Sequence, residues 1–351
     1  MSSKELYDIT IIGGGPAGLF AAFYSGLRNM KTKIIDFQPQ LGGKIHIYPE
    51  KMIWDVGGLT PVSGAQLIKQ IVQQGLTFHP EVVLNEKIES IAKTVDNYFV
   101  LRNSLGQVHL SKTVVIATGS GILKPQKINI EGAERFEISN LHYTVKSLKQ
   151  FKDKTVIISG GGNTAIDWAN ELEPIAKKVY LVYRKGQEDL TGHESQISQL
   201  LWSSATCYFH SSITRLIAGS NQDKIVSVEL KDEKTDEYFK LDVSDVVISH
   251  GFDQDISLVK NSSQLNITLI DDFFIQGTAM SETSIPGLYA AGDILKHEGK
   301  LHLIAGAFQD AANAVNKAKS YIEPDAGETA MVSSHNEIFD ERNKTLIREL
   351  V

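Results

Sequence analysis

Between Asp8 and Phe37 the chain reads DITIIGGGPAGLFAAFYSGLRNMKTKIIDF, an order that leaves little freedom of fold. An apolar run (Ile9, Thr10, Ile11, Ile12) enters glycines at 13, 15 and 18, a helical pattern follows, and a second apolar run closes on Asp36. The reading is strand, tight turn, helix, strand. Gly13 permits the turn, Gly15 lets backbone approach a pyrophosphate, and Gly18, just after Ala17, lets helix and strand pack closely. The pyrophosphate then rests on the helix N-terminus, where N–H groups without intrahelical partners and the summed peptide dipoles favour negative charge. Asp36, about 20 residues along, is placed to accept hydrogen bonds from ribose hydroxyls.

The pattern returns later in the chain. Thr155 to Ile158 predict a strand, Gly160 to Ala165 form G-x-G-x-x-A through Gly162, Asn163 and Thr164, and Ala165 to Leu172 predict a helix. Lys178 to Tyr183 predict the second strand. Two such units in one polypeptide predict two cofactors held by one chain. They differ where the second strand ends, because Arg184-Lys185 stand where Asp36 stood. A carboxylate selects a free 2′-hydroxyl, whereas a guanidinium clamps a 2′-phosphate, so the second unit is expected to prefer NADP(H) to NAD(H).

At 351 residues the chain suits two domains of ordinary size. A net charge of −7 argues against a nucleic-acid binder. The single cysteine, Cys207, supplies neither a disulfide nor a redox pair nor a thiolate metal cluster, which fits a reducing compartment. No charged-then-apolar leader precedes the first strand and no apolar run reaches membrane-spanning length, so a soluble, cytoplasmic protein is expected.

Between the two glycine motifs, Phe37 to Tyr48 read as a Gly- and Gln-rich loop and Ser63 as the cap of a helix carrying Leu67, Ile68, Ile71 and Val72. Val82 to Leu101 and Val108 to Leu110 predict short strands, Thr113 to Gly119 a buried strand, and Ser120 to Glu131 a linker. After the second motif, Thr206 to Val247 alternate short strands with charged turns, and Val246 to Gly251 predict another apolar strand. Gly287 to Asp293 predict a buried strand whose end presents Asp293, an acceptor for ribityl hydroxyls. Leu303 to Tyr321 predict a long helix, and Asp325 to Val351 a polar, irregular tail.

With Gly13 to Gly18, Asp36, Ala117-Thr118-Gly119, Gly160 to Ala165, Arg184 and Gly292-Asp293 in view, the chain resembles the low-molecular-weight thioredoxin reductase lineage of pyridine-nucleotide flavoenzymes. Within it the chain is most similar to the bacterial thioredoxin-reductase-type ferredoxin–NADP reductases, through Asn140 to Asp153, Asn163 to Lys178 and the tail after Pro324. A thioredoxin reductase carries C-x-x-C, and related disulfide reductases carry a cysteine in the first glycine loop where this chain has Ala17. A thiol–disulfide relay needs two sulfurs, so electrons are expected to leave to an external acceptor.

The resemblance implies an α/β fold of two Rossmann-like three-layer nucleotide-binding domains, the NADP(H)-binding domain (120–251) inserted into a discontinuous FAD-binding domain (1–119 and 252–351, with a C-terminal extension from 325). It implies FAD contacts at Lys44, Tyr48, Ile88, Leu123 and Ser334 beside those at Asp36 and Asp293, with Tyr48 and His335 stacked on the two flavin faces. The order Ser333-Ser334-His335 departs from the family's His-Ser-Thr. Gly160, Gly162, Asn163, Thr164, Ala165, Arg184 and Lys185 fall on the NADP side. The implied reaction passes a hydride from NADPH to flavin N5 and single electrons to ferredoxin or flavodoxin, in a homodimer. It demands no catalytic acid or base. A general NADPH-dependent reductase of flavins, quinones or ferric chelates and a non-catalytic NADPH/FAD sensor stand as alternatives.

Overall fold

The computed structural model describes residues 5–121, 124–252 and 254–350. The chain forms two compact units, the first of Met1–His46, Lys51–Ile122 and Gln254–Val351, the second of Ile47–Glu50 and Leu123–Asp253.

In the first unit, β-branched residues fill β1 (Leu6–Ile12), which passes through the glycine turn into α1 (Pro16–Leu27) and then β2 (Thr32–Ile35). Helix α2 (Gly64–Gly75) follows, capped by Ser63, whose side chain accepts from the Gln66 N–H at 3.3 Å. Four strands complete the passage: β3 (Glu81–Val83), β4 (Ile88–Lys93), β5 (Phe99–Asn103) and β6 (Val108–Ile116). The sheet order is β3-β2-β1-β6-β5-β4. Strands β2, β1 and β6 run parallel, Ile11 lying between Ile34 and Val115, while β4 and β5 form the antiparallel flap. The expected pair of strands at 108–110 and 113–119 is a single strand. From Leu110 opposite Leu6 to Ile116 opposite Ile12 it is paired with β1, and Val108 and His109 before that are paired with β5, so the polar Ser111-Lys112 step does not break the ladder.

The second unit repeats the plan. Strand β7 (Thr155–Ser159), α3 (Asn163–Leu172) and β8 (Lys178–Tyr183) are followed by α4 (Glu194–Trp202) and β9 (Thr206–Phe209). An antiparallel meander, β10 (Ser211–Ala218), β11 (Ile225–Asp232) and β12 (Tyr238–Asp242), leads to β13 (Asp245–Ile248). The parallel sheet runs β9-β8-β7-β13 and ends on the short strand Leu141–His142. Successive side chains of a strand face opposite ways. Val156 and Ile158 accordingly join a core with Ile166 and Trp168 of α3, and Ile157 joins one with Val228 and Leu230 of the meander. Three layers result.

The chain then re-enters the first unit, where β14 (Leu288–Ala290) lies parallel to β6 and α5 (Ile304–Ile322) packs against α1. A fully buried Phe99 anchors this core with Leu101, Val114 and Leu288, and truncating it to alanine is expected to cost about 3–5 kcal/mol. The tail is not irregular throughout, for α6 (Asp340–Leu350) closes the chain. Its polar sequence hides it, and its anchor is Phe339, 5.6 Å from the Phe78 ring, with Arg342 donating to the Thr77 carbonyl at 2.5 Å.

Candidate nucleotide-binding sites

In the first unit, the Gly13 N–H donates to the Ile35 carbonyl at 2.8 Å, so the turn is tied to the end of β2. With φ at +109° and the Ala117 carbonyl oxygen 2.3 Å from where a Cβ would stand, only glycine fits there. A Cβ on Gly18 would lie 1.8 Å from the Gly13 carbonyl oxygen, which explains how α1 comes so near the loop. Gly15 is the N-cap of α1 and offers no side chain to its first N–H groups, with Pro16 at the first helical position. Among the described residues, a Cβ there would have only Gly43 Cα within 4 Å, at 3.6 Å. An uncapped helix end beneath open space is what a pyrophosphate requires.

Asp36 is buried at the end of β2. One carboxylate oxygen accepts from the Gly14 N–H and the other from the Gln38 N–H at 2.7 Å. Burial nevertheless raises its pKa, with the two N–H bonds opposing the shift. The Asp36 N–H donates to Val83 at 2.9 Å and its carbonyl accepts from Glu86 at 3.0 Å, so the segment leading to the buried Ile88 runs alongside.

Two segments remote in sequence reach the same helix end. The Gly42 N–H donates to the Gly14 carbonyl at 2.8 Å, and Gly43 approaches Gly15 so closely that a Cβ would lie 2.7 Å from its Cα. Lys44 stands exposed on the short turn that follows, Gly43–Ile47. From the other side, a Cβ on Gly292 would lie 3.0 Å from Ala17, which brings the half-buried Asp293 to the first turn of α1. The structure therefore gathers Gly13, Gly15, Ala17, Gly18, Asp36, Lys44 and Asp293 around one helix N-terminus.

The other expected contacts belong to other segments of the chain. Tyr48 belongs to the second unit, packed against the core that contains Val145, Phe151 and Trp168, and Glu50 beside it accepts from the Leu148 N–H at 2.8 Å. Ser334 and His335 lie on an exposed turn, in a tail whose Ala330 N–H donates to the Tyr24 hydroxyl at 3.2 Å near the C-terminal end of α1. Leu123 lies outside the described residues.

In the second unit, the Gly160 N–H donates to Val182 at 2.9 Å, and a Cβ on Gly160 would meet the Ser249 carbonyl oxygen at 2.3 Å. Gly162 caps α3 without a side-chain bond, Asn163 and Thr164 are exposed and Ala165 is buried. Arg184 and Lys185 are exposed just past β8. A segment not foreseen closes over the loop: the Thr191 N–H donates to Gly161 at 3.0 Å and the His193 N–H to the Asn163 side chain at 3.0 Å. His250, past β13, has its Nε2 2.8 Å from Ser159 Oγ, and burial first, then the positive charge of Arg184, hold its pKa below the ordinary histidine value.

Among the described residues no group of three or more His, Cys, Asp or Glu is placed to hold a metal ion. The Cys207 thiol is half-buried on β9 and burial pushes its pKa up, the reverse of what a reactive thiolate needs. Residues 7–318 match the profile of the pyridine nucleotide-disulphide oxidoreductases. The chain belongs to that family. Ferredoxin--NADP reductase 1 of Bacillus mycoides (strain KBAB4) is 67% identical to it over 351 residues, covering the whole of both chains. Ferredoxin--NADP reductase 2 of Exiguobacterium sibiricum is 63% identical, covering 100% of this chain and 99% of its own. The crystal structure of Lactococcus lactis thioredoxin reductase superposes with a TM-score of 0.73 at 24% identity, covering 90% of this chain and 99% of that one, a likeness of fold. Members of this family use FAD and NADPH, and the two uncapped helix ends with Asp36 and Arg184 beside them fit that pair. No helix among the described residues is long and apolar enough to cross a membrane.

Proposed function

We propose that the chain is a ferredoxin–NADP reductase that takes electrons from NADPH through FAD and delivers them singly to ferredoxin or flavodoxin. The observation that carries this reading is the coexistence of two unlike nucleotide cradles with one lone, half-buried cysteine. A dithiol relay has no sulfur pair to run on, so the acceptor is external. The full-length identity to reductases named for ferredoxin supports the choice of acceptor.

On this reading the FAD domain is 1–119 with 252–351 and the NADP(H) domain 120–251. The N-terminus of α1 holds the FAD pyrophosphate, Asp36 its ribose, and Asp293 its ribityl chain. The N-terminus of α3 holds the NADP pyrophosphate, and Arg184 with Lys185 the 2′-phosphate. Bound FAD supplies the passage from two-electron to one-electron transfer, and the protein orients and shields. Lys44, Tyr48, Ile88, Leu123, Ser334 and His335 are the further FAD contacts proposed, in a cytoplasmic homodimer. Truncation before Ser333 should then change flavin fluorescence, and an unaltered spectrum would remove Ser334 and His335 from the site.

The deciding experiment offers one NADPH-reduced preparation to ferredoxin, flavodoxin, thioredoxin, ferric chelate and quinone. Fastest reoxidation by ferredoxin or flavodoxin is expected. Preference for a quinone or chelate would favour the general reductase, and failure of NADPH to bleach the flavin would leave only a passive binder.

A further inference from the structure

Asp310 lies on the inward face of α5 and is 4% exposed. Two donors meet on its Oδ2: the Gly292 N–H at 3.0 Å and the Lys300 ammonium, whose side chain is itself 4% exposed. The Asp310 backbone carbonyl is held as well, accepting from Ser281 Oγ at 2.8 Å. A buried ion pair loses hydration on both partners and returns little net stability, so apolar residues would serve packing as well. What the pair does that apolar residues cannot is hold a backbone N–H. That N–H belongs to the turn presenting Asp293, and Gly292 is the residue wedged against Ala17 at the α1 N-terminus.

A third group faces the same carboxylate. His297 Nδ1 lies 2.7 Å from the Glu298 carbonyl, which can only accept, so Nδ1 carries a proton. Its Nε2 is buried with no hydrogen-bond partner among the described residues, 3.8 Å from Asp310 Oδ1. A neutral ring turns a lone pair toward the carboxylate there, and an imidazolium turns an N–H toward it.

We propose that Asp310 and Lys300 are a positioning pair that sets the Gly292–Asp293 turn for FAD, with His297 as a second, proton-dependent cation for the same carboxylate. This rests on the assignment of that turn to FAD. The other charged groups nearby are Asp293 in the turn, Glu298 beside His297, the Glu282–Lys317 pair at 3.5 Å on the segment after Ser281, and Lys296, which is engaged by Asp271. None of these touches Asp310 in the contacts described above.

The test strips FAD from the holoenzyme and retitrates it by flavin fluorescence, taking the ratio of variant to wild-type dissociation constant at about pH 8 and about pH 6. Asp310→Ala is expected to weaken FAD binding about tenfold or more with unchanged far-UV circular dichroism. Lys300→Met should weaken it at the higher pH and recover at the lower, and adding His297→Phe should abolish the recovery. Asp293→Ala is the control for the site itself. If Asp293→Ala weakens FAD while Asp310→Ala and Lys300→Met bind normally, the pair has no positioning role. A loss in Lys300→Met that is equal at both pH values removes His297 from the proposal. If Asp293→Ala binds FAD normally, the turn was misassigned and the inference falls with it. Should Asp310→Ala fail to fold, the Lys300→Met series, which keeps the carboxylate, decides.

Discussion

The two glycine cradles are the same backbone solution reached twice, and they part company at two positions. In each, the first glycine donates to a carbonyl at the end of the second strand, Gly13 to Ile35 and Gly160 to Val182. In each, it crowds a carbonyl just past the third parallel strand, that of Ala117 or Ser249, with the same 2.3 Å to a built Cβ. The third motif residue differs, being Gly18 in one and a buried Ala165 in the other. So does the residue after the second strand, a buried Asp36 with both oxygens on backbone N–H groups against an exposed Arg184. The shared part makes room for a pyrophosphate, and the unlike part chooses the nucleotide. A buried carboxylate is built into the loop before any ligand arrives, whereas a surface guanidinium waits on a flexible stem.

The sharpest way to break this equivalence is to exchange the third motif residue. Gly18→Ala drives a Cβ into the Gly13 carbonyl, and a loss of about 3 kcal/mol is expected in chemical denaturation. Ala165→Gly should cost only about 1 kcal/mol. Equal losses would mean that the helices sit at the same depth.

Nucleotide choice comes next. Arg184→Ala should raise the KM for NADPH about tenfold or more, the worth of a charge-assisted pair, and leave that for NADH little changed. Equal effects on both would deny Arg184 the 2′-phosphate.

A subtler contrast lies in pH. The folded-state pKa of Asp36 is raised, chiefly by burial, so the folded chain holds this proton more tightly than the unfolded chain. Its stability contribution is therefore fully present below the ordinary carboxylate value and is lost as pH rises through the higher folded value. In FAD-free protein, Asp36→Asn should flatten that part of the stability profile measured by urea denaturation. A variant profile parallel to wild type would assign the slope to other groups.

The smallest effect expected concerns His250. Arg184→Ala should move its titration upward, toward but not reaching the ordinary value, because burial, the larger cause, remains. An NMR titration of the ring protons reads this directly, and a downward or absent shift would place Arg184 away from Ser159 and His250.

Much of this architecture was legible in the chain because its cues are local. Strand β8 appears at its expected limits, Lys178 to Tyr183, since an apolar run between Lys178 and Arg184 states its own ends. Helix α2 begins after Ser63 because a hydroxyl satisfies an N–H three residues on. Where polar residues interrupt a ladder, as at Ser111-Lys112, neighbouring β1 overrules the local cue. Helix α6 escaped notice because its sequence is mostly polar and its Leu346 and Ile347 stay exposed, and its docking depends on Phe78, far away in sequence.

What the sequence by itself determined is the pair of cradles and the charge that ends each, because a glycine between strand and helix is a statement about sterics within a few residues. Only the tertiary structure decided which distant segments arrive there: Gly43 and Gly292 on the first helix end, Thr191 and His193 on the second loop, and Asp310 beneath the Gly292 turn. Those meetings are set by how sheets and helices stack around cores drawn from the whole chain. No spacing along the chain records which segments such packing will bring together.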